Sequence, residues 1–256
     1  MSATRVAIAG AGGRMGGALI EAARATEGVV LGAALDMRAG SRGDVAIGTD
    51  VAAALRAADV LIDFTRPEGT LVHLAACREA KRGIVIGTTG FTSAQLADIR
   101  AAAREIPVVL APNMSVGVNV MLKLVELASK ALGPDYDIDV FEMHHKLKVD
   151  APSGTALKLG EVAAAARATS LEREGVYSRH GHTGERKAGT IGFAVARGGD
   201  VVGDHTVYFA GIGERIEITH RSTSRATYAQ GAMRAAKFVA SHPAGLYGME
   251  DVLGLR

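Results

Sequence analysis

The 256-residue sequence predicts an α/β protein in which a parallel-sheet domain is joined to a second, α+β domain with a mainly antiparallel sheet. Three observations support this fold class. Up to Asn113, short apolar segments alternate with helical segments, as in a parallel sheet that helices cover on both faces. Beyond Asn113, several segments alternate apolar with polar residues and are joined through glycines. The last helical segment is rich in alanine like the first ones, which indicates that the chain returns to the first domain.

The first domain is defined by its alternating strands and helices. Apolar runs predict strands at residues 5–9, 29–36, 60–64, 83–88 and 107–113. Apolar residues at helical spacing predict helices at residues 15–25, 68–80, 93–105 and, after the return, 225–241. We therefore assign residues 1–115 and 226–256 to a single domain.

The second domain begins with a helix at about residues 118–132, which leads into a strand within YDIDVFEMHH. A further helix is predicted at about residues 154–168. Three segments with strand-like alternation follow, at residues 191–195, 207–209 and 216–218, and the connections GGD and GIG predict antiparallel hairpins with one face towards solvent. Residues 116–225 are thus assigned to this domain, whose exposed sheet is a candidate surface for pairing with other subunits.

The composition excludes several classes of protein. The 29 basic and 27 acidic residues are spread along the chain, with no basic block that would follow a nucleic-acid backbone. No apolar run approaches the roughly 20 residues that a membrane-spanning helix needs. A single cysteine, Cys77, allows no internal disulfide and fits a reducing compartment. We therefore expect a cytoplasmic protein with neither a nucleic-acid partner nor a membrane partner.

A glycine-rich turn follows the first strand. In GAGGRMG, glycines recur at Gly10, Gly13 and Gly16, between a strand and a helix. Such a turn lets a pyrophosphate approach the N–H groups at a helix N-terminus. The next strand ends in Asp36, where a carboxylate can accept hydrogen bonds from the adenosine ribose. This context predicts a Rossmann-like dinucleotide site, the alternative being that the glycines only form a tight turn.

The sequence leaves the choice between NADH and NADPH open. A carboxylate at Asp36 repels the 2′-phosphate of NADPH and so favours NADH, whereas Arg38 could neutralise that phosphate. Two later strand ends, GTTG from Gly87 and APNMS from Ala111, carry small or hydroxyl residues. The carboxyl ends of parallel strands are where ligands bind in open sheets, so the nicotinamide and its ribose are expected there.

The segment EMHHKLKVDAPSGTA, residues 142–156, is predicted to bind an anion. Its basic residues His144, His145, Lys146 and Lys148 precede a helix start that Ser153 or Asp150 can cap. The N–H groups of the first helical turn, at Gly154 and Thr155, form a candidate carboxylate site.

The roles of the basic residues in this segment differ. Histidine titrates near neutrality, which suits His144 for proton transfer. Lys146 is interpreted as a solvated side chain outside the site. Metal binding by the histidine pair is not predicted, because adjacent strand residues point to opposite faces and no further ligand follows at suitable spacing.

Together these motifs resemble the 4-hydroxy-tetrahydrodipicolinate reductase (dihydrodipicolinate reductase) family over essentially the whole chain. The resemblance is carried by AGAGGRMG, IDFTRPEGT, IGTTGF, SVGVNVMLKL, HHKLKVDAPSGTA, GHTGER and GTIGF. It implies NAD(P)H-dependent reduction of a small dicarboxylate in lysine biosynthesis, by a homotetramer. It also implies that His144 is catalytic, that Lys148 donates a proton, that His145 binds substrate, and that Gly154 and Thr155 hold a substrate carboxylate.

The resemblance assigns the cofactor site as well. With the residues that follow the ribose acid, the candidate cofactor-binding residues are Gly10, Ala11, Gly12, Gly13, Arg14, Met15, Asp36, Met37, Arg38, Gly87, Thr88, Thr89, Ala111, Pro112, Asn113 and Met114. Some family members carry an arginine for the 2′-phosphate directly after the ribose acid, where this sequence has Met37 with Arg38 one residue on. We therefore hypothesise that NADH works well and that NADPH also works.

Three alternative functions remain at this point. A different reductase of a small dicarboxylate would use the same fold. A semialdehyde-type dehydrogenase would need a cysteine nucleophile, but Cys77 shares a helical face with Leu71 and Leu74 and is expected to be buried. A non-enzymatic dinucleotide sensor would bind the cofactor without oxidising it, and fold alone cannot exclude it.

Overall fold

The computed structural model describes residues 3–256, which divide into two compact units. The first unit comprises the described residues up to Val116 together with Ala226–Arg256, and the second comprises Gly117–Arg225. The first is α/β and the second has a mixed sheet with helices, so the predicted fold class is confirmed. No helix among residues 3–256 combines the length and apolar character needed to cross a bilayer.

In the N-terminal half, strands and helices alternate. They are β1 (Thr4–Ala9), α1 (Arg14–Ala25), β2 (Val29–Leu35), β3 (Gly40–Arg42), β4 (Val45–Ile47), α2 (Val51–Ala57), β5 (Val60–Asp63), α3 (Pro67–Ala80), β6 (Gly83–Ile86), α4 (Ser93–Ala102), β7 (Pro107–Leu110) and α5 (Val116–Leu132). Side chains cap two of these helices at their N-termini: Asp50 accepts a hydrogen bond from Ala53 N at the start of α2, and Thr92 forms a capping box with Gln95 at α4.

The C-terminal half follows a short 3₁₀ turn at Gly133–Asp135. Its elements are β8 (Asp137–His144), α6 (Gly154–Ala166), α7 (Leu171–Glu174), β9 (Gly175–Val176), β10 (Ile191–Arg197), β11 (Gly203–Ala210), β12 (Arg215–Ser222), α8 (Ala226–Ser241), β13 (Gly245–Tyr247) and α9 (Met249–Leu253).

The first unit is built on a parallel six-stranded sheet in the order β13-β7-β6-β5-β1-β2. Alternate residues of β1 enter opposite cores. Val6 and Ile8 pack with residues of α1 and α8, whereas Ala7 and Ala9 pack with residues of α2, α3 and α4. The returning helix is therefore found where the sequence predicts it. The edge strand β13 and the β3–β4 hairpin were not predicted, because three-residue strands are too short to show a period.

The second unit has a five-stranded sheet in the order β12-β11-β8-β10-β9. The predicted hairpin through GIG is confirmed, since β11 and β12 are antiparallel neighbours. The hairpin predicted through GGD is wrong, because β8 lies between β10 and β11 and pairs in parallel with β10. Alternation in β10 showed that the strand has two different faces but carried no information about its partner.

The two faces of β8 carry different sets of side chains. Ile138 and Val140 point into a core formed with α5 and α6. Because strand residues alternate, Glu142 and His144 extend from the same face, and both are buried. Phe141 points the other way and is 36% exposed.

Candidate active site

The glycine loop of the first unit has the geometry of a dinucleotide cradle. Gly10 has φ +73°, a left-handed conformation that glycine adopts without strain. A Cβ on Gly16 would lie 2.6 Å from Ala11 Cα and would overlap Gly10 O, so α1 can start directly against the loop only with glycine at this position. Gly13 is the N-cap of α1 and has no side chain to occupy the helix N-terminus. The residues present therefore fit a pyrophosphate.

Asp36 lies beside this loop, immediately after β2. Its carboxylate accepts hydrogen bonds from Gly12 N at 2.9 Å and from Met37 N at 2.7 Å. The Met37 side chain is almost fully exposed, and Arg38 is exposed too. The predicted ribose acid and the glycine loop are thus brought together, while Met37, where some family members are expected to carry an arginine, contributes no charge.

Arg42, on β3, contacts the glycine loop and was missed by sequence reasoning. From β3 its guanidinium donates hydrogen bonds to Ala11 O at 3.2 Å, Gly12 O at 2.8 Å and Gly13 O at 2.9 Å. These bonds hold the carbonyl side of the loop in place. No pattern pointed to Arg42, because the short hairpin that carries it has no sequence signal.

The other predicted cofactor residues fall at the carboxyl ends of β6 and β7. Thr88 is buried, while Thr89 and Pro112 are exposed. The side chains of Ala111 and Met114 belong to the hydrophobic core, so these two residues can offer a cofactor only backbone groups. The remaining predicted positions on these loops and at the start of α1 are Gly87 and Asn113, both partly buried, exposed Arg14 and partly buried Met15.

In the second unit, a carboxylate and an imidazole are paired on β8. His144 Nδ1 lies 2.6 Å from Glu142 Oε2. A carboxylate can only accept, so Nδ1 carries the proton and Nε2 of the neutral ring is left as an acceptor. Sequence reasoning missed Glu142, although the two-residue period of a strand places it on the same face as His144.

Glu142 is the centre of a buried ionic network. Arg197, on the neighbouring strand β10, donates from Nη1 to Oε2 at 2.7 Å and from Nη2 to Oε1 at 2.9 Å. Ser153 N donates to Oε1 at 2.9 Å. Burial raises the pKa of Glu142, but the hydrogen bonds from Arg197, His144 and Ser153 outweigh it and leave the pKa below the ordinary glutamate value. Glu142 is therefore ionised at neutral pH.

His205 lies against this network from β11. Its Nε2 is 3.1 Å from Ser153 Oγ, and its ring packs edge-on against His144 with centroids 5.1 Å apart. Burial, followed by the repulsion that a protonated His144 would exert, lowers the pKa of His205 to about 4, so its ring is neutral at pH 7. Gly203 provides the space for His144, since a Cβ there would lie 2.9 Å from Nε2.

The anion segment continues from His144 to the start of α6. Ser153 caps this helix by accepting a hydrogen bond from Ala156 N, which leaves Gly154 and Thr155 in the first turn. Lys148 donates to both carboxylate oxygens of Asp150, at 2.8 and 2.9 Å. Lys148 is therefore paired with a carboxylate of its own segment.

The other basic residues of the segment differ in exposure. His145 is partly buried and its Nδ1 has no hydrogen-bond partner among the described residues, while Lys146 is exposed. Within residues 3–256, no three His, Cys, Asp or Glu side chains are grouped as metal ligands would be. Cys77 is fully buried, and burial together with the Asp63 charge raises the pKa of its thiol. Such a thiol is unsuited to act as a nucleophile.

Comparison with known proteins matches both parts of the chain to one family. The model of the dihydrodipicolinate reductase N-terminus matches residues 4–114, and that of the C-terminus matches residues 117–253. The 4-hydroxy-tetrahydrodipicolinate reductase of Dechloromonas aromatica is 58% identical, with both chains covered completely. That of Bordetella pertussis is 59% identical, covering 98% of this chain and 97% of the relative.

A solved structure agrees with these matches. The dipicolinate-bound dihydrodipicolinate reductase from Paenisporosarcina sp. TG-14 aligns with a TM-score of 0.80 at 26% identity. The alignment covers 96% of this chain and 97% of that one. The resemblance drawn from the sequence motifs is therefore confirmed.

Proposed function

Since this chain belongs to the dihydrodipicolinate reductase family, and so reduces 4-hydroxy-tetrahydrodipicolinate with NADH or NADPH in lysine biosynthesis, we propose how its own residues perform that reaction. We assign cofactor binding to the first unit and substrate binding to the second. The hydrogen bond from His144 to the buried carboxylate of Glu142, beside the capped start of α6, carries the proposal. Membership of this family decides against a cysteine-dependent dehydrogenase and a non-enzymatic sensor.

The start of α6 is proposed to bind one substrate carboxylate. The backbone N–H groups of Gly154 and Thr155 lie in the first turn, where the helix dipole favours negative charge. His145, with a ring nitrogen that lacks a partner in the described chain, is proposed to bind the second carboxylate. The family member solved with dipicolinate, a planar aromatic dicarboxylate, supports a site for two carboxylates.

The proton is proposed to come from Lys148, with His144 assisting its exchange. A nicotinamide bound by the first unit would supply the hydride, which the substrate ring would take up at C4 after losing water. The enamine left in the ring then gains a proton, for which the Lys148 ammonium is the donor. Asp150 accepts hydrogen bonds from Lys148 Nζ through both oxygens and so orients the ammonium.

Glu142 is proposed to fix the tautomer and the ring orientation of His144. By accepting a hydrogen bond from Nδ1–H, the Glu142 carboxylate leaves Nε2 to exchange protons, and it stabilises the imidazolium when one forms. Arg197 and Ser153 N hold the carboxylate in place and limit its rotation. This arrangement orients the ring before substrate binds.

The cofactor residues proposed for the first unit are those predicted from the sequence, with Asp36 on the adenosine ribose. The activity itself is tested by supplying freshly generated 4-hydroxy-tetrahydrodipicolinate and monitoring NADH oxidation through its absorbance. We propose that NADH is used well and that NADPH is used too.

Replacing Asp36 by alanine is expected to raise the KM for NADH roughly tenfold, as loss of a charge-assisted hydrogen bond to the ribose should do. The KM for NADPH should rise less, because the variant also loses repulsion of the 2′-phosphate. Asp44→Ala is the matched control, since Asp44 is an exposed acid of the same unit paired with Arg24. An unchanged KM for NADH in Asp36→Ala removes Asp36 from the site.

We also propose a cytoplasmic homotetramer that assembles through the sheet of the second unit. On the face opposite the core, the exposed side chain of Phe141 offers an apolar contact for a second subunit. Light scattering is expected to give about four times the 26.4 kDa chain mass.

Phe141→Glu is expected to reduce that mass by placing charge at the subunit contact. Val72→Glu, at an exposed apolar position on α3 of the first unit, is the control and should leave the mass unchanged. A wild-type protein that stays monomeric at micromolar concentration contradicts the proposal.

A further inference from the structure

A second buried carboxylate, in the first unit, is not used by the mechanism above. Asp63 ends β5 and is fully buried. His73, on α3, places Nδ1 2.6 Å from Asp63 Oδ2. Asp63 Oδ1 accepts hydrogen bonds from the backbone N–H of Thr65 at 2.8 Å and from its hydroxyl at 2.7 Å. The carboxylate is therefore enclosed by donors from its own loop and from a helix.

The same carboxylate reaches the loop after the next strand. Thr88 Oγ1 lies 3.3 Å from Asp63 Oδ1, and Thr70 Oγ1 lies 3.2 Å from the same oxygen. Thr70 also donates to Thr88 Oγ1 at 2.9 Å. One acceptor thus links the loop after β5 with the GTTG loop after β6.

Thr65 extends this linkage to the glycine loop. A Cβ on Gly10 would lie 3.1 Å from Thr65 Cγ2, so the Thr65 methyl rests against the turn that cradles the pyrophosphate. A change in the position of Thr65 would therefore be felt at Gly10 as well as at Thr88.

The charge of Asp63 is maintained by these contacts. Burial raises the pKa of its carboxyl group, but hydrogen bonds from His73 and Thr65 outweigh it and leave the pKa below the ordinary aspartate value. Both oxygens of an ionised carboxylate accept hydrogen bonds. An amide in its place would turn an NH₂ group towards side chains that are themselves donors.

We propose that Asp63, held by His73, is a positioning residue for the nicotinamide end of the cofactor. It sets the places of Thr65 and Thr88 without touching the ligand. The inference rests on the proposed function in one respect, the assignment of the Gly87–Thr89 loop to the nicotinamide and its ribose.

The test compares two ligands by calorimetry, NADH and ADP-ribose, which lacks the nicotinamide. Asp63→Asn is expected to weaken NADH roughly tenfold, equal to about 1.4 kcal/mol, and to weaken ADP-ribose by no more than about twofold, through the Thr65 contact at Gly10. Asp59→Asn is the matched control. Asp59 directly precedes β5 and pairs with Arg5 at the amino-terminal ends of the strands, whereas Asp63 lies at the carboxyl end. That variant should leave the Kd of both ligands unchanged.

Thr70→Val provides a second variant in case Asp63→Asn does not fold. It removes the hydroxyl that lies between Asp63 and Thr88 while keeping the side-chain shape. The affinity for NADH is expected to fall roughly threefold, as for the loss of one hydrogen bond, with a smaller change for ADP-ribose. Equal weakening of both ligands, or unchanged NADH binding in a folded variant, overturns the inference. Because no substrate is present, a failure of the proposed reductase mechanism would appear in turnover and not in these affinities.

Discussion

Replacing His144 by alanine is expected to lower kcat by roughly 10²-fold or more, the usual contribution of a general acid or base. The imidazole is held by the Glu142 carboxylate at 2.6 Å, so its loss removes an oriented group that water cannot replace in the same place. Lys148→Ala should cause a loss of similar size, because it removes the proposed proton donor. Stopped-flow measurement of NADH oxidation at saturating substrate separates this loss in kcat from a change in KM.

The chain provides matched controls for both variants. Lys146 belongs to the same segment but is exposed, so Lys146→Ala is expected to keep kcat within a factor of two or so, in line with the small effects of surface substitutions. His180→Ala serves in the same way for the histidine, since His180 is exposed on a loop of the same unit. Near-normal turnover in both His144→Ala and Lys148→Ala would contradict the proposed proton transfer.

The parallel sheet and the segment around His144 could be predicted because each has a local signal. Gly10, Gly13 and Gly16 recur at a spacing that a strand, a tight turn and a helix require, and the structure shows why Gly16 admits no Cβ. Glu142 was equally accessible, since a strand that ends at His144 must place it on the same face. Its carboxylate stands in the sequence beside four basic residues, and the sequence alone does not show which of them it contacts.

Arg197 and Asp63 were beyond the reach of sequence reasoning for a different reason. Arg197 meets Glu142 only because β10 pairs in parallel with β8, and strand order is a tertiary property. In the sequence, Asp63 is only the polar residue at the end of an apolar strand. The groups that donate hydrogen bonds to it, on Thr88 and His73, belong to separate elements. Contacts of this kind depend on which strands become neighbours, which a local pattern does not encode.

Removing the carboxylate of Glu142 is expected to lower the free energy of unfolding by about 3 kcal/mol, because breaking a buried ion pair leaves its partner charged and unpaired. In Glu142→Leu that partner is Arg197, whose side chain is 19% exposed, which places the loss at the low end of the range for such pairs. Urea denaturation measures it. Glu161→Gln is the control, since its exposed pair with Lys158 should contribute at most about 1 kcal/mol.

A double variant separates the ion pair from packing. If the loss in Glu142→Leu comes from the uncompensated guanidinium, then Glu142→Leu combined with Arg197→Leu should recover part of it. A double variant that is less stable by the sum of the two single losses would show instead that the side chains contribute independently.

The difference in unfolding free energy between wild type and Glu142→Leu depends on pH, in a way that follows from the direction of the Glu142 pKa shift. Its pKa in the folded protein lies below the ordinary glutamate value of about 4.3, so its stabilising contribution is fully present above that pH. The contribution is lost as the pH falls through the folded pKa, so the stability gap between wild type and Glu142→Leu should narrow only below about pH 4.3.

His205 is the other acid-sensitive group of the network, and its window lies higher. Because its pKa falls from 6.5 to about 4 on folding, the unfolded chain binds a proton there first, and stability decreases as the pH drops from 6.5 towards 4. His205→Gln should abolish that decrease and keep the change below about pH 4.3, which belongs to Glu142. A wild-type stability that stays level between pH 6.5 and 4 would contradict a His205 ring that is neutral at pH 7.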